Sequence, residues 1–278
     1  MDMQKAARLD KEVLAELRTG QDTWQVFKIM GEFVDGFETL RKIGRAVSIF
    51  GSARMRPGER YYELAVEVAE RFAKKGWTTI TGGGPGIMEA ANKGAKKGGG
   101  LSVGLNIKLP FEQSANPFQD IALEFDYFFA RKVMFVKYAQ AYVVLPGGFG
   151  TMDELFESLT LVQTGKVQGF PVILIGKEFY GGLLRWMRKE MVAAGTISPE
   201  DTSLFLLTDD PEEAVEAAEH FHHSGETMTP ETLAAWRRLW AAHLRKKNER
   251  GEPGGPSTGK GRKKKHRRPS RLRGRRSD

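Results

Sequence analysis

Apolar positions in the first part of the chain fall at helical spacing. Trp24, Phe27, Ile29, Met30, Phe33, Val34, Phe37 and Leu40 recur near three to four residues apart, behind Asp22, which suits a helix cap. Residues 1–45 therefore read as helix. The apolar face is wide, so it is expected to bury against the body of the protein or against a second subunit. From Ala46 the pattern changes to short apolar runs alternating with amphipathic stretches. Strands are predicted over residues 46–50, 77–80, 101–107, 121–127, 141–145, 171–175 and 204–207. Helices are predicted over residues 61–75, 87–97, 131–140, from beyond Thr151 to about Thr164, over 183–194, and from Asp210-Pro211 onward. In the first of these, Leu64, Ala65, Val68, Ala69 and Phe72 share one face and Gly76 provides the stop. In the last, Glu212 and Glu213 suit the positive end of the helix dipole. A final helix over 229–248 carries Leu233, Trp236, Leu239, Trp240 and Leu244 on a stripe, and Trp236 and Trp240 are expected to pack in the core or a dimer contact.

Strands alternating with helices of this length imply an α/β fold: a doubly wound parallel sheet with helices on both faces. In such sheets ligands bind beyond the carboxyl ends of the strands. The organisation expected is a helical extension over 1–45, an α/β domain over 46–224, a C-terminal helix over 225–249 and a disordered basic tail over 250–278. Gly, Pro, Ser, Lys and Arg dominate that tail, which cannot bury a core.

Composition narrows the chemistry. The 278 residues include no cysteine, which excludes disulfides, thiol catalysis and cysteine-ligated metal. No apolar run approaches the ~20 residues that span a bilayer. Residues 1–9 lack the apolar stretch of a secretion signal, so a cytoplasmic location with no membrane partner is expected. The net charge of +8 is unevenly placed: residues 245–278 hold 15 Lys and Arg against 3 Asp and Glu, a net of +12, which leaves the rest at −4. The basic tail is either a solvated extension or a nonspecific attractor of nucleic acid or an acidic partner. No aromatics interleave it, so base stacking is unsupported.

Two glycine clusters fall at strand ends. Thr81-Gly-Gly-Gly-Pro-Gly-Ile-Met-Glu89 and Pro146-Gly-Gly-Phe-Gly-Thr-Met-Asp-Glu154 both run from strand to helix. Glycines there let a backbone approach a ligand, and a helix start offers free N–H groups to an anion. Either turn alone is equally a tight βα connection; two at neighbouring strand ends make that reading of both weaker. Gly147, Gly148, Gly150 and Thr151 are placed to cradle a phosphate. Asp153 and Glu154 either approach the ligand or only complement the dipole. Arg131-Lys132, at the same sheet edge, is either a clamp for phosphate or ribose or a solvated basic pair. There is no G-x-x-x-x-G-K-[ST], no G-x-G-x-x-G after the first strand and no G-x-S-x-G. His220 and His223 share helical spacing but lack partners at ligand spacing, so no metal is assigned.

Taken together, Gly82-Gly-Gly-Pro-Gly-Ile-Met-Glu89, Arg131-Lys132 and Pro146-Gly-Gly-Phe-Gly-Thr-Met-Asp-Glu154 resemble the LOG ("Lonely guy") family over about residues 46–222. The resemblance implies a Rossmann-like fold, a homodimer or larger assembly of dimers, and a phosphoribohydrolase needing no cofactor. The reaction implied is hydrolysis of the N-glycosidic bond of a nucleoside 5′-monophosphate, a cytokinin riboside monophosphate or AMP, to free base and ribose 5-phosphate. By the same resemblance Arg131 and Glu154 form the catalytic pair. Gly147, Gly148, Gly150 and Thr151 hold the phosphate, and Gly83, Gly84, Met88 and Glu89 line the sugar and base. Ser52 occupies the first-strand turn, and Lys132 joins the substrate-binding set. Ala130 departs from the polar or acidic residue common before the Arg-Lys pair, which bears on base selectivity or the orientation of Arg131. The label "lysine decarboxylase" often attached to the family fails on chemistry, because decarboxylation needs an electron sink such as pyridoxal phosphate and the glycine loops supply no Schiff-base lysine. The rival readings are a general purine nucleotide nucleosidase, a non-catalytic carrier using the same pocket, and a nucleic-acid-associated factor driven by the tail.

Overall fold

The computed structural model describes residues 22–109, 114–167 and 170–250. The expected helix before residue 22 and the basic tail after residue 250 lie outside the described residues. In chain order the elements are α1 (Asp22–Leu40), β1 (Ala46–Phe50), α2 (Arg60–Lys74), β2 (Thr78–Thr81), α3 (Ile87–Lys97), β3 (Ser102–Ile107) and β4 (Ile121–Phe125). There follow α4 (Phe128–Tyr138), β5 (Ala141–Val144), α5 (Phe149–Gln163), β6 (Val172–Ile175), α6 (Lys177–Trp186), β7 (Leu206–Thr208), α7 (Pro211–Ser224) and α8 (Pro230–Glu249).

All seven strands are parallel, in the order β4-β3-β2-β1-β5-β6-β7. The chain lays β1 to β4 outward on one side, then crosses back to start β5 on the other side of β1. The strand order reverses between β1 and β5, and a crevice opens outside their carboxyl ends. Strand residues alternate between two cores, as the pleat requires. Val47 and Ile49 of β1, with Ala141, Val143 and Leu145 around β5, pack under α2, α3, α7 and α8. Ala46, Phe50, Tyr142 and Val144 face α1, α4, α5 and α6. Trp236 and Trp240 are buried in the first core.

Several boundaries differ from the sequence reading. α4 begins at Phe128 rather than Arg131, because Tyr127 precedes it in extended conformation with no capping side chain to announce the start. Arg131 thus lies one turn inside the helix. α5 begins at Phe149, so Gly150 and Thr151 belong to its first turn rather than to a preceding loop. α6 begins at Lys177, and Met187–Met191 then widens into a π-turn; Gly181 and Gly182 hide this start in the pattern. The apolar stripe of α1 is buried only in part. Leu40 enters the core and Phe33 packs against it, while Phe27, Met30, Val34 and Trp24 (71% exposed) face outward on this single chain. The helix is pinned across α4, where Gly36 lies so close to Met134 that a Cβ would overlap it, and Glu32 accepts the Asp126 amide at 2.6 Å. No helix among the described residues is long and apolar enough to cross a membrane.

Candidate functional site

Three strand-end loops knit together at the crevice. The Ser52 amide donates to the Pro146 carbonyl at 3.0 Å, joining the loops after β1 and β5. The Ser52 carbonyl accepts the Ile87 amide at 3.0 Å, joining the loops after β1 and β2. This second contact demands a glycine at 86, where φ is +72° and a Cβ would collide with the Ser52 carbonyl. The result is a cavity of about 620 Å³. Ser52, Ala53 and Arg54 line it from the β1 loop, Gly82 and Met88 from the β2 side, and Arg131 and Phe128 from α4. Gly148, Phe149, Gly150, Thr151 and Glu154 close it from α5, and Phe50, Ile107, Leu109 and Phe135 give it an apolar lining. Its volume is in the range of small-ligand and cofactor sites.

The start of α5 is built to leave backbone donors free. Gly148 is the extended N-cap, and its carbonyl accepts the amides of Thr151 (3.1 Å) and Met152 (3.0 Å). The amides of Phe149 and Gly150 have no acceptor within the helix, as for any first turn. Gly147 stands behind the Thr151 side chain, and a Cβ there would overlap the hydroxyl and its methyl. An anion at this helix start would also meet the positive end of the dipole.

Charged groups sit at the inner wall. The Glu154 side chain is 7% exposed. Burial pushes its carboxyl up to about 7, against the opposing pull of Lys132 and Arg131. Burial also pulls the Arg131 guanidinium down from its ordinary value, while Glu154 and Asp153 hold it up; it stays charged at any working pH. Arg131 lies over the rings of Phe128 (5.2 Å) and Phe135 (5.7 Å), and its Nε is buried with no hydrogen-bond partner. Lys132 gathers three carboxylates: its Nζ lies 2.8 Å from Asp153, 2.6 Å from Glu157 and 3.5 Å from Glu154. Burial works against that ammonium, but the bonds to Asp153 and Glu157 outweigh it and raise its pKa.

The structure thus brings Ser52, Met88, Arg131, Gly148, Gly150, Thr151 and Glu154 to one cavity. Gly147 supports that wall from behind. Lys132 turns to the acidic face of α5 instead of the cavity. Gly83, Gly84 and Glu89 also point elsewhere. The Gly83 carbonyl accepts Asn116 Nδ2 (3.0 Å) and Gln119 Nε2 (2.8 Å), and the Gly84 carbonyl accepts Asn116 Nδ2 at 3.0 Å. Glu89 accepts the Tyr62 hydroxyl at 2.9 Å, and burial together with that bond raises the phenol to about 12. Sequence reasoning passed over Arg54, Phe128 and Asn116. Arg54 had a signal, two residues beyond Ser52 at a strand end. Asn116 had none, since it reaches Gly83 across 33 residues of chain. Among the described residues no group of three or more His, Cys, Asp or Glu side chains is placed to hold a metal ion.

Comparison with known proteins supplies the remaining facts. A family model described as "Possible lysine decarboxylase" matches residues 88–218. A cytokinin riboside 5′-monophosphate phosphoribohydrolase of Mycobacterium tuberculosis is 32% identical over 158 residues, 56% of this chain and 83% of that protein. A probable cytokinin riboside 5′-monophosphate phosphoribohydrolase of Oryza sativa subsp. japonica is 25% identical over 213 residues, 75% of this chain and 84% of that one. Among solved structures, the molybdenum cofactor binding protein of Rippkaea orientalis is 24% identical with a TM-score of 0.47, covering 63% of this chain and 94% of that one.

Proposed function

This chain belongs to the LOG family, that of the cytokinin riboside 5′-monophosphate phosphoribohydrolases, and on that premise we propose that it hydrolyses the N-glycosidic bond of a nucleoside 5′-monophosphate. The products are the free base and ribose 5-phosphate. The observation that carries the reading is the half-buried Arg131 and the buried Glu154 together on the wall of a nucleotide-sized cavity at the β1/β5 reversal. The 5′-phosphate sits on the free amides of α5 with Gly148, Gly150 and the Thr151 hydroxyl around it. Cleavage builds positive charge on the sugar as the bond to the base lengthens. The Glu154 carboxylate answers that charge or takes a proton from the attacking water, and both roles require its ionised form. Arg131, lying over the Phe128 and Phe135 rings with a free Nε–H, fixes the substrate and offsets charge on the departing base.

A decarboxylase reading finds no support here. Lys132, beside the site, is tied to three carboxylates and held in its charged form, whereas a Schiff-base lysine must present a neutral amine. The chain is further proposed to act as a homodimer. The outward face of α1 (Trp24, Phe27, Met30, Val34) and the exposed Phe128, Phe129 and Val133 of α4 give apolar area for a second copy beside the cavity. Sedimentation at micromolar protein tests this, and a monomer would overturn it.

The decisive experiment is chromatography of the protein incubated with AMP and with isopentenyladenosine monophosphate, beside Glu154→Ala. Free base released by the unaltered protein alone supports hydrolysis and the role of Glu154. The ratio between the two substrates separates a cytokinin enzyme from a general purine nucleotide nucleosidase. Nucleotide binding with no base released would overturn hydrolysis of these substrates and favour a carrier.

A further inference from the structure

The cavity holds a cation that the pairing of Arg131 with Glu154 leaves unused. Among the described residues three ionisable side chains line it: Arg54, Arg131 and Glu154. Arg131 and Glu154 face one another's charge. Among the described residues the Arg54 guanidinium makes no ion pair and no hydrogen bond, whereas Arg45, Arg60 and Arg71 each have an acidic partner. Among the described residues, two cations against one anion leave the cavity lining with a surplus positive charge.

Arg54 is also fixed in place by its backbone. Its amide donates to the Ser52 hydroxyl at 3.1 Å, and Ser52 is bonded in turn to Pro146, the residue that opens the α5 glycine loop. The side chain therefore starts from a turn tied to the strand end that delivers Gly148, Phe149 and Gly150. A phosphomonoester carries close to two negative charges at neutral pH, and free amides at one helix start balance only part of that. A guanidinium offers the planar pair of donors that matches two phosphate oxygens.

We propose that Arg54 binds the 5′-phosphate of the substrate, opposite the N-terminus of α5, and so makes this site select phosphorylated nucleosides over free ones. The inference rests on the proposed hydrolase reading for its substrate class, but not for its test. It adds a residue to the phosphate subsite and assigns the surplus charge.

The test pairs kinetics with direct binding. For Arg54→Ala, KM for AMP rises about tenfold or more while kcat stays within about threefold, the loss expected when a charge-assisted hydrogen bond to phosphate is removed. By calorimetry, the Kd for ribose 5-phosphate rises by the same factor. Cleavage of adenosine, which lacks the phosphate, keeps its kcat/KM, and Arg54→Lys falls between the two. Arg56→Ala, an exposed cation two residues on and outside the cavity, changes none of these. Unchanged KM and Kd in Arg54→Ala would overturn the proposal, as would an equal loss on AMP and adenosine. Should the unaltered protein release no base from any nucleotide, the hydrolase reading fails alone. The calorimetric comparison then still decides Arg54, and no binding of ribose 5-phosphate by the unaltered protein refutes it.

Discussion

The two glycine loops share one design, strand then glycines then helix, yet they are used in opposite ways. The loop after β2 is braced from below. Asn116 and Gln119 hold the Gly83 and Gly84 carbonyls, Thr81 Oγ1 accepts the Gly83 amide at 3.0 Å, and Thr81, Asn92 and Ser102 continue a buried chain of hydrogen bonds. The loop after β5 is open. Among the described residues no side-chain hydrogen bond reaches Gly147, Gly148 or Gly150, and Phe149 is 96% exposed at the cavity's edge. A run of glycines marks where a backbone must pass close to something. Whether that is a ligand or the protein's own amides depends on what the rest of the fold brings there.

The comparison breaks first at Glu154, which only the open loop carries into the cavity. Glu154→Gln is expected to lower kcat/KM at least about 100-fold, the usual loss for a positioned acid–base or electrostatic group. The same variant should be more stable. A carboxyl raised to about 7 in the folded protein, against 4.5 unfolded, favours folding less and less as pH climbs through that window. Glutamine removes that penalty, so its advantage is small at pH 5 and on the order of 1–3 kcal/mol at pH 8. Thermal denaturation at the two pH values reads this directly. A variant that loses activity and stability together would mean that Glu154 is structural.

The braced loop should fail in the other currency. Asn116→Ala removes the Nδ2 contacts to the Gly83 and Gly84 carbonyls and to Asn92 Oδ1, and leaves the Gly84 carbonyl without that donor, for a loss of about 1–3 kcal/mol. Assayed well below its melting temperature, the variant should keep KM within about threefold, since the residue touches no cavity wall. A large rise in KM with stability intact would place the β2 loop against substrate after all.

This contrast explains what the sequence could and could not disclose. The strand–helix alternation and the α5 motif rest on local patterns, and the periodicity and glycines display them. The division of labour between the loops rests on Asn116 and Gln119, which arrive from a segment with no helical or strand period. Gly83, Gly84 and Glu89 were expected to line sugar and base because their loop matches a known motif, yet in this chain they face Asn116, Gln119 and Tyr62. The resemblance sets Lys132 beside Arg131 in the substrate-binding set. A helix sends adjacent residues about 100° apart, and one meets the cavity while the other meets the acidic face of α5. The starts of α4 and α5 lie earlier than the pattern predicts, because Tyr127 gives no capping signal and Gly150 reads as a breaker.

The open loop can be filled without disturbing the fold. Around Gly148 a Cβ meets nothing within 4 Å, and its φ of −90° suits any side chain. Gly148→Val should therefore leave the melting temperature nearly unchanged while crowding the anion site, raising KM for AMP about tenfold, or ~1.4 kcal/mol. Unchanged kinetics would move the phosphate elsewhere in the cavity.

The finest distinction concerns Lys132, one residue from the cavity wall. Its ammonium, 3.5 Å from Glu154, favours the ionised carboxylate that the reaction needs. In Lys132→Met that support is gone and the nearby Asp153 and Glu157 charges remain, so the Glu154 pKa should climb above about 7. The rise of kcat/KM with pH then moves to higher pH by about one unit. Activity falls most near neutrality and returns toward the unaltered level in alkali, because there Glu154 ionises in both proteins. A lysine that bound substrate directly would behave otherwise: its loss would raise KM at every pH and leave the midpoint in place. The pH profile of kcat/KM separates the two, and a uniform loss would return Lys132 to the substrate-binding set.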